Sequence, residues 1–494
     1  MGADGNLYMI RDGFGKVTFP SIVGLFTDGS YAVGNFISAR GYNSDMHIIR
    51  ELKREISKNN YCTYGSHKFS AKFLVAMIFH SIKQNAEEFI GVSFSECLLS
   101  VPVDFRSREI HLMESAAEIA GLSVRRTIQE SSLAALLIAS HVDERERCYS
   151  LNVDLGGGTL DISGAEYDDV VCEILFSFGD RELGSIDYDY TIAAYIEEQL
   201  KKEYNIFPIY PDSSLHIDIL TRAEQVKMDL GVSEQAVFSL DIPNQSGDVM
   251  VYTYKITRSL YDDITSSLTQ RMKDVLIQSK KLMRKNMEHF SDFRIYLTGQ
   301  GSKLFSIKRL IQEIFPENLI LDCYQESAVC QGLAQQSGIF NQTVDNLLLL
   351  DTLHIYLDIL CERYDEDEDI LYIGAENHKF YRLIDPRYDD YRSYWHTIPY
   401  GEDFLFAFTD PPQNGLYEIK LYDYSPTNDL HTLIFSQVIP AAQISTTIHV
   451  LSVIFNADSK PCVEIRTEEE FYQHQKDLGH HYVFHHAKKT QKPY

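Results

Sequence analysis

Apolar and polar positions follow two different periods along residues 1–340. The apolar run "CLLSVPVDF" (97–105) has the length and composition of a buried strand, and the segment 107–122 after it repeats its apolar residues at helical spacing. A longer amphipathic helix is predicted over 257–283, and "FRIYLTG" (293–299) again has the pattern of a strand. Strands that alternate with helices in this way are typical of an α/β architecture.

The pattern changes near residue 342. "QTVDNLLLLD" (342–351) is a short apolar segment, and beyond it brief runs of alternating polarity are separated by Asp, Pro, Asn and Gly, as in "GLYEIKLYDYSPTND" (415–429). Such runs predict an all-β region. We therefore divide the chain into an α/β domain at 1–340, a linker at 341–351, an all-β domain at 352–475 and a tail at 476–494.

The composition narrows the classes of partner. The formal net charge is −26, whereas binding to nucleic acid or to an anionic membrane needs a basic surface. The eight cysteines form no CxxC pair, the N-terminus has no signal peptide, and no apolar run approaches the ~18 residues of a membrane span. We expect a cytoplasmic protein with reduced thiols that binds neither nucleic acid nor a membrane.

Candidate chemistry lies at "VDLGGGTLDIS" (153–163), where three consecutive glycines separate two strand-like segments. A Walker loop or a dinucleotide-binding loop would place its glycines between a strand and a helix, so neither motif fits. A glycine-rich hairpin tip presents backbone N–H groups that can bind phosphate, and Thr159 adds a hydroxyl. Asp154 and Asp161 are placed to organise Mg²⁺ through water molecules. A purely structural bulged hairpin explains this stretch equally well on its own.

A series of segments, in order, resembles the heat shock protein 70 family of chaperones. The segments are "SVPVDF", "AAEIAGLSVRRTIQES", "VDLGGGTLDIS", "FGDRELGSIDYD" and "LTGQGSKLFSIKRLIQEIF". "VDNLLLLD" (344–351) closely resembles the linker between that family's domains. The resemblance implies an actin-like, two-lobed ATPase fold that binds ATP or ADP with Mg²⁺. It also implies that the following β region is a diverged form of the family's peptide-binding β-sandwich.

The resemblance assigns roles to single residues. Lys53 matches the family's catalytic lysine, which would stabilise charge on the γ-phosphate, although a surface lysine on a charged helix is the alternative. Asp154 matches a carboxylate of the magnesium and attacking-water site, Glu130 a glutamate of the metal shell, and Asp161 an acid beside them. The residues matched to nucleotide binding are Gly156, Gly157, Gly158 and Thr159 for the phosphates, Glu224 and Lys227 for the ribose and adenine, and Gly299, Gly301, Ser302 and Lys303 for the turn over the adenosine.

The sequence also departs from the family. Residues 1–29 contain no match to its "DLGTT" hairpin, a first phosphate-binding loop with a magnesium-shell aspartate, so we expect hydrolysis to be impaired more than binding. Met228 and Lys303 stand where the family has two arginines around the adenine. "QES" (129–131) replaces its Asn-Glu-Pro, and the eighteen residues after Lys476 are too few for its helical lid.

Two functions are open at this point. The first is a divergent, lidless family member that assists protein folding in the cytosol with weak or no ATP hydrolysis. It would be similar to the family's short members that pair with a zuotin-type J-domain protein at the ribosome. The second is a fully active ATP-driven chaperone whose turnover a J-domain protein stimulates. Unfolded or nascent polypeptides are the expected clients of both. A "DLGTT"-like hairpin encoded upstream of Met1 would show an incomplete N-terminus.

Overall fold

The structure is a computed structural model. It describes residues 7–26, 28–40, 46–58, 61–64, 67–140, 147–168, 170–204, 214–243, 249–287, 293–322, 327–343, 347–352, 356–365, 367–375, 379–384, 400–425, 430–444, 448–455, 461–467 and 469–471. The predicted tail at 476–494 and the central part of the predicted linker, 344–346, lie outside these residues. The chain divides into two compact units, which are Met1–Phe105 with Glu109–Leu349 and Arg106–Arg108 with Leu350–Tyr494.

The first unit alternates strands with helices. The strands are β1 (Val23–Phe26), β2 (Tyr31–Val33), β3 (Met46–Ile49), β4 (Tyr61–Tyr64), β5 (His67–Ser70), β6 (Glu96–Val101), β7 (Ser123–Gln129), β8 (Cys148–Leu155), β9 (Leu160–Asp168), β10 (Val171–Asp180), β11 (Gln235–Pro243), β12 (Val249–Thr257), β13 (Phe293–Thr298), β14 (Ile320–Asp322) and, across the division, β15 (Leu348–Leu350). The helices are α1 (Asn35–Arg40), α2 (Leu52–Lys58), α3 (Ala71–Ile90), α4 (Ser107–Ile119), α5 (Glu130–Ala139), α6 (Ser185–Tyr204), α7 (Ser214–Val232), α8 (Arg258–Ile264), α9 (Ser266–Asn286), α10 (Phe305–Ile314) and α11 (Ala328–Phe340). The alternating periods therefore predicted the mixed α/β class correctly. In the part of the chain that the structure describes, no helix is long and apolar enough to cross a membrane.

The central sheet of the first unit has six strands in the order β14-β13-β8-β9-β10-β15. β8 and β9 are buried along nearly their whole length, because helices cover both faces of the sheet. On one face, Leu133 and Leu136 of α5 belong to the same apolar cluster as Ile174 of β10. On the other, Leu151 of β8 shares a larger cluster with Leu276 of α9. A strand pair fixed on two sides gives the β8–β9 turn a rigid base.

The turn after β13 lies at the same edge of the sheet as the turn after β8. β13 runs parallel to β8, and the register pairs Thr298 with Asp154 at the last residue of β13. The two strands therefore end next to each other at the carboxyl edge of the sheet, which is where ligands bind in open α/β sheets. The glycine-rich turn 156–159 and the turn that begins at Gly299 are thereby brought together.

The amphipathic segment 257–283 forms two helices, so the prediction of one long helix was wrong. α8 begins after Thr257, whose hydroxyl accepts from the backbone N–H of Leu260 at 3.2 Å. The helix ends at Thr265, a buried residue whose hydroxyl donates to the carbonyl of Tyr261 at 2.7 Å. A threonine that bonds to the carbonyl one turn earlier competes with regular helix geometry. The apolar spacing continues across this break, so periodicity alone did not reveal it.

Part of the predicted linker forms an edge strand. The N–H of Leu348 in β15 donates to the carbonyl of Val170 beside β10 at 2.7 Å. Leu349 is 5% exposed and belongs to the apolar cluster that contains Ile128 and Ile174. The apolar run therefore buries a side chain against the first unit.

The second unit consists of two sheets in its described residues. Its strands are β16 (Leu357–Cys361), β17 (Arg363–Asp365), β18 (Ile370–Ile373), β19 (Lys379–Ile384), β20 (Tyr400–Phe408), β21 (Leu416–Ser425), β22 (Leu430–Pro440), β23 (His449–Phe455) and β24 (Pro461–Thr467). One sheet has the order β19-β16-β21-β22 and the other β17-β18-β20-β23-β24. Both contribute to one apolar core, which includes Ile359 and Leu421 from the first and Ile373, Phe406 and Val453 from the second.

Candidate functional site

The glycine-rich turn between β8 and β9 is held by bonds to its carbonyl oxygens. The Gly156 carbonyl accepts from the N–H of Ser185 and the Gly157 carbonyl from the N–H of Ile186, each at 3.0 Å. Both donors lie in the first turn of α6. The third carbonyl, of Gly158, accepts from the guanidinium of Arg54 at 2.6 Å. All three glycine carbonyls are therefore bonded within the protein.

The N–H groups of the same turn are bonded differently. That of Gly156 donates to the Thr159 carbonyl at 2.9 Å and closes the hairpin. Those of Gly157, Gly158 and Thr159 find no acceptor among the residues that the structure describes. A methyl group placed on Gly157 would meet no atom within 4 Å, so this face of the turn is open. Successive unbonded N–H groups in a tight turn form an anion-binding surface.

Two adjoining cavities share this turn. The larger, of about 610 Å³, is lined by Gly156 and Gly157, by the turn residues Gly299 and Gln300, and by four carboxylates, which are those of Glu130, Asp154, Asp189 and Glu224. The smaller, of about 360 Å³, also reaches Gly158 and Thr159. Its charged lining is mixed, with the cations Arg50, Lys53, Arg54 and Arg181 and the acids Glu51, Glu130 and Glu182. The turn therefore lies between a predominantly acidic cavity and one of mixed charge.

The acids at this end of the site repel one another. Burial, and then the charge of Glu130, raise the pKa of Asp154 to about 7, while Lys53 opposes the shift. Burial and Glu130 also hold the pKa of Asp161 well above its usual range. A divalent cation would relieve this repulsion, and carboxylates with retained waters are the ligands that Mg²⁺ prefers. Asp154 and Glu130 therefore fit a magnesium site. Among the described residues, no three His, Cys, Asp or Glu side chains are grouped so that they could hold a metal directly.

Lys53 forms an ion pair with Glu130 across the smaller cavity. The Lys53 side chain is 45% exposed. Desolvation of its ammonium lowers the pKa of Lys53, but the carboxylates of Glu130, Asp161 and Asp154 outweigh this and raise the pKa overall. Asp161 accepts from the Val103 N–H at 3.0 Å and from the Thr159 hydroxyl at 2.9 Å. The four residues predicted as catalytic are thus brought together. Lys53, Glu130 and Asp161 are already bonded to protein partners, as is the Thr159 hydroxyl.

The ribose and adenine candidates lie on α7. Glu224 lines the larger cavity, and the ammonium of Lys227 donates to the Ser185 carbonyl at 3.0 Å and to Asp189 at 2.7 Å. Lys227 is 7% exposed and, unlike Glu224, is not among the residues that line the two cavities. Burial raises the pKa of Asp189 to about 6 although Lys227 lowers it. Met228, next along α7, is 59% exposed.

The turn after β13 packs directly on the end of β8. Gly299 has φ 75°, and a methyl group there would lie 2.3 Å from a carboxylate oxygen of Asp154 and from the Leu155 carbonyl. Only glycine fits this contact. Gly299 lines the larger cavity, whereas Gly301 and Ser302 are buried behind it and Lys303 is exposed. Of the four residues predicted here, Gly299 reaches the cavity in the described structure.

Sequence reasoning missed several residues of this site. They include Arg54, Ser185 and Ile186, which bond the glycine carbonyls, and Asp189, which holds Lys227. Arg54 directly follows Lys53, and Ser185 belongs to "FGDRELGSIDYD", a segment quoted above only for its resemblance to the family. Arg54 and Gly158 are 104 positions apart, so no local spacing links them.

Comparison with known proteins identifies the family. Residues 32–369, more than half of the chain, match the family model described as Hsp70 protein. The chain belongs to the Hsp70 family. It is 28% identical over 352 residues to the chaperone protein DnaK of Metamycoplasma hominis, an alignment that covers 70% of this chain and 58% of the relative. It is also 28% identical over 349 residues to the chaperone protein DnaK of Mycoplasmopsis synoviae (strain 53), covering 70% of this chain and 57% of the relative.

The match confirms the family resemblance drawn from the sequence. The Hsp70 family has an actin-like, two-lobed ATPase fold, and the first unit of this chain has the mixed α/β structure that such a fold requires. Members of the Hsp70 family bind ATP or ADP with Mg²⁺. The chain spans a little over half the length of the curated relatives it matches.

Proposed function

We propose that this Hsp70-family chain binds ATP with Mg²⁺ in the two adjoining cavities of its first unit. The turn 156–159 would bind the phosphates, Asp154 and Glu130 would hold the magnesium through waters, and Glu224 and Lys227 would bind the ribose and adenine. The observation that carries this proposal is the bonding of the turn. All three glycine carbonyls are bonded to protein, and three successive N–H groups remain available for an anion.

We further propose that hydrolysis is slow. The Lys53 ammonium, the Asp161 carboxylate and the Thr159 hydroxyl are each bonded to a protein partner. These groups would have to exchange partners before they could act on a nucleotide, and catalytic groups that must reorganise stabilise a transition state less well than preorganised ones. From the segment before β1, Ser21 and Ile22 line the smaller cavity. Neither side chain offers a cation or a carboxylate.

A second candidate, a fully active ATPase with J-domain-stimulated turnover, is favoured by one observation. Lys53, Asp154, Glu130 and Asp161 converge at one end of the site, although they come from α2, β8, α5 and β9. Partner exchange on nucleotide binding would complete a catalytic set from these residues. Both candidates keep the same binding site and differ in rate.

We propose that the physiological role is assistance to protein folding in the cytosol. Support comes from the family and from the names of the two chaperone relatives. The two sheets and common core of the second unit would form a diverged peptide-binding β-sandwich for unfolded or nascent polypeptides. A J-domain co-chaperone is the proposed partner, and a zuotin-type protein at the ribosome is the narrower form of this hypothesis.

Two measurements on the full chain separate the candidates. The first is equilibrium binding of labelled ATP with Mg²⁺, and the second is single-turnover hydrolysis with and without a J-domain protein. Binding with little turnover in both conditions supports the first candidate. Turnover that the J-domain protein stimulates supports the second. Absence of ATP binding would overturn both.

A further inference from the structure

Arg54 connects three elements at the phosphate turn. From α2 its guanidinium donates to the Gly158 carbonyl twice, from Nε at 3.1 Å and from Nη2 at 2.6 Å. The same group donates to both oxygens of Asp187 in α6, at 2.9 and 2.6 Å. Its side chain is 11% exposed and that of Asp187 is 17% exposed, so water screens these bonds only weakly.

Asp187 extends this contact to the other glycine carbonyls. It also accepts from the Gly184 N–H at 2.7 Å, directly before the two residues that bond the Gly156 and Gly157 carbonyls. A methyl group on Gly184 would lie 2.3 Å from the Gly157 carbonyl oxygen, so this backbone contacts the turn directly. The start of α6 is therefore fixed to the turn by its own N–H groups and to α2 through Arg54.

Glu51 holds Arg54 from the other side. Its carboxylate accepts from Arg54 Nη1 at 2.8 Å and from the Tyr190 hydroxyl of α6 at 2.6 Å. The guanidinium thus has carboxylates on two sides and a backbone carbonyl on a third. A planar fork of donors suits this arrangement, whereas a single ammonium group could not serve all three acceptors.

We infer that Arg54 is a positioning residue that fixes the Gly158 carbonyl and thereby orients the N–H groups of the turn toward the phosphates of a bound nucleotide. Arg54 acts through the backbone of the turn and need not contact the nucleotide. The inference rests on the proposed function, because it assigns the turn to phosphate. It also requires that Arg54 affects phosphate binding more than nucleoside binding, because Arg54 bonds the turn and Asp187 directly, whereas Lys227 contacts α6 at Ser185 and Asp189.

The test compares ATP, ADP and adenosine on the full chain and on its Arg54→Ala, Arg54→Lys and Asp187→Asn variants. Arg125→Ala, which removes a half-exposed arginine that lines neither cavity, is the control. Charge-assisted hydrogen bonds predict that Arg54→Ala lowers ATP and ADP affinity by about 10- to 100-fold and lowers adenosine affinity much less. Arg54→Lys should recover only part of the loss. A double variant with Asp187→Asn should lose little more than Arg54→Ala, because both changes break one network.

Amide hydrogen exchange provides a readout without nucleotide. In the unliganded chain, Arg54→Ala should accelerate exchange of the Ser185 and Ile186 amides, which bond the turn, and leave the Leu151 amide in the central strand unchanged. The inference is overturned if both exchange and ATP affinity match the unmodified chain, or if ATP and adenosine affinity fall equally. If the unmodified chain binds no ATP, the proposed function fails, and unchanged exchange would then also overturn the role of Arg54.

Discussion

Gly157 and Gly184 contact each other at the phosphate turn, but a methyl group would meet different surroundings at the two positions. At Gly157 it would enter open space, whereas at Gly184 it would lie 2.3 Å from a backbone oxygen. We therefore expect Gly184→Ala to lower the free energy of unfolding by about 1–3 kcal/mol, because the start of α6 must move away from the turn. Gly157→Ala should change it by less than about 0.5 kcal/mol. Urea unfolding of both variants checks this, and equal losses would contradict the geometry.

The pair between Asp189 and Lys227 predicts a pH dependence of nucleoside binding. The pKa of Asp189 is raised from its usual 3.8 to about 6, chiefly by burial, with Lys227 opposing and Glu224 and Asp187 adding to the shift. As the pH falls through about 6, the carboxyl becomes neutral and Lys227 loses its charged partner. Adenosine affinity should then fall by about tenfold between about pH 7.5 and pH 5.

The variant Asp189→Asn is the control for this dependence, because an amide does not titrate. Its adenosine affinity should be lower at neutral pH and nearly constant over the same range. The contribution of Asp189 to folding stability changes with pH in the opposite direction to adenosine affinity. Its raised pKa means that the folded chain binds a proton more tightly than the unfolded chain, so this contribution is present at low pH and is lost as the pH rises through about 6. If the adenosine affinity of Asp189→Asn falls between about pH 7.5 and pH 5 as much as that of the unmodified chain, another group causes the pH dependence.

At the residue scale, the sequence predicted the groups that belong to a motif and missed those that support it. Three glycines in a hairpin have a physical meaning that can be recognised locally, and the family resemblance located Lys53 and Glu130. Arg54 and Asp189 gain their roles from contacts with residues 104 and 38 positions away. Contacts of that kind depend on how helices pack, which neither composition nor spacing specifies.

At the scale of elements, α5 and α11 show how close packing supports the central sheet. α5 is buried on all sides, and a methyl group on Gly332 of α11 would lie 2.2 Å from the Leu133 carbonyl oxygen of α5. Gly332→Ala should therefore separate the two helices and lower the free energy of unfolding by about 1–3 kcal/mol. Gly231→Ala, where a methyl group would meet no atom within 4 Å, is the matched control. Equal stability of the two variants in urea would show that the helices accommodate the change.

Helix existence was easier to predict than helix continuity. The apolar spacing over 257–283 correctly indicated a helical, half-buried segment, because periodicity reports which face packs on the core. The break at Thr265 depends on one hydroxyl that bonds to the Tyr261 carbonyl. A side chain of this type can also point outward in an unbroken helix, so the sequence offers no sign of the choice.

At the scale of the whole molecule, the described residues of the two units differ in architecture. The second unit contains strands in two sheets that share one core, and the first unit is mixed α/β. The period of the apolar residues is a property of long segments. The mixed α/β class of the first unit could therefore be predicted from the sequence. The family membership of the chain is shown, whereas its activity, clients and partners stay proposals.

The central claim is that the turn 156–159 binds nucleotide phosphates. Its most direct test is a calorimetric titration of ATP with Mg²⁺ into the full chain and into Gly157→Ala, with Gly231→Ala as control. We predict saturable binding at one site, unchanged in Gly231→Ala and weakened by about 10- to 100-fold in Gly157→Ala, where the methyl group enters the phosphate path. No binding to the unmodified chain, or equal affinity in Gly157→Ala, would contradict it.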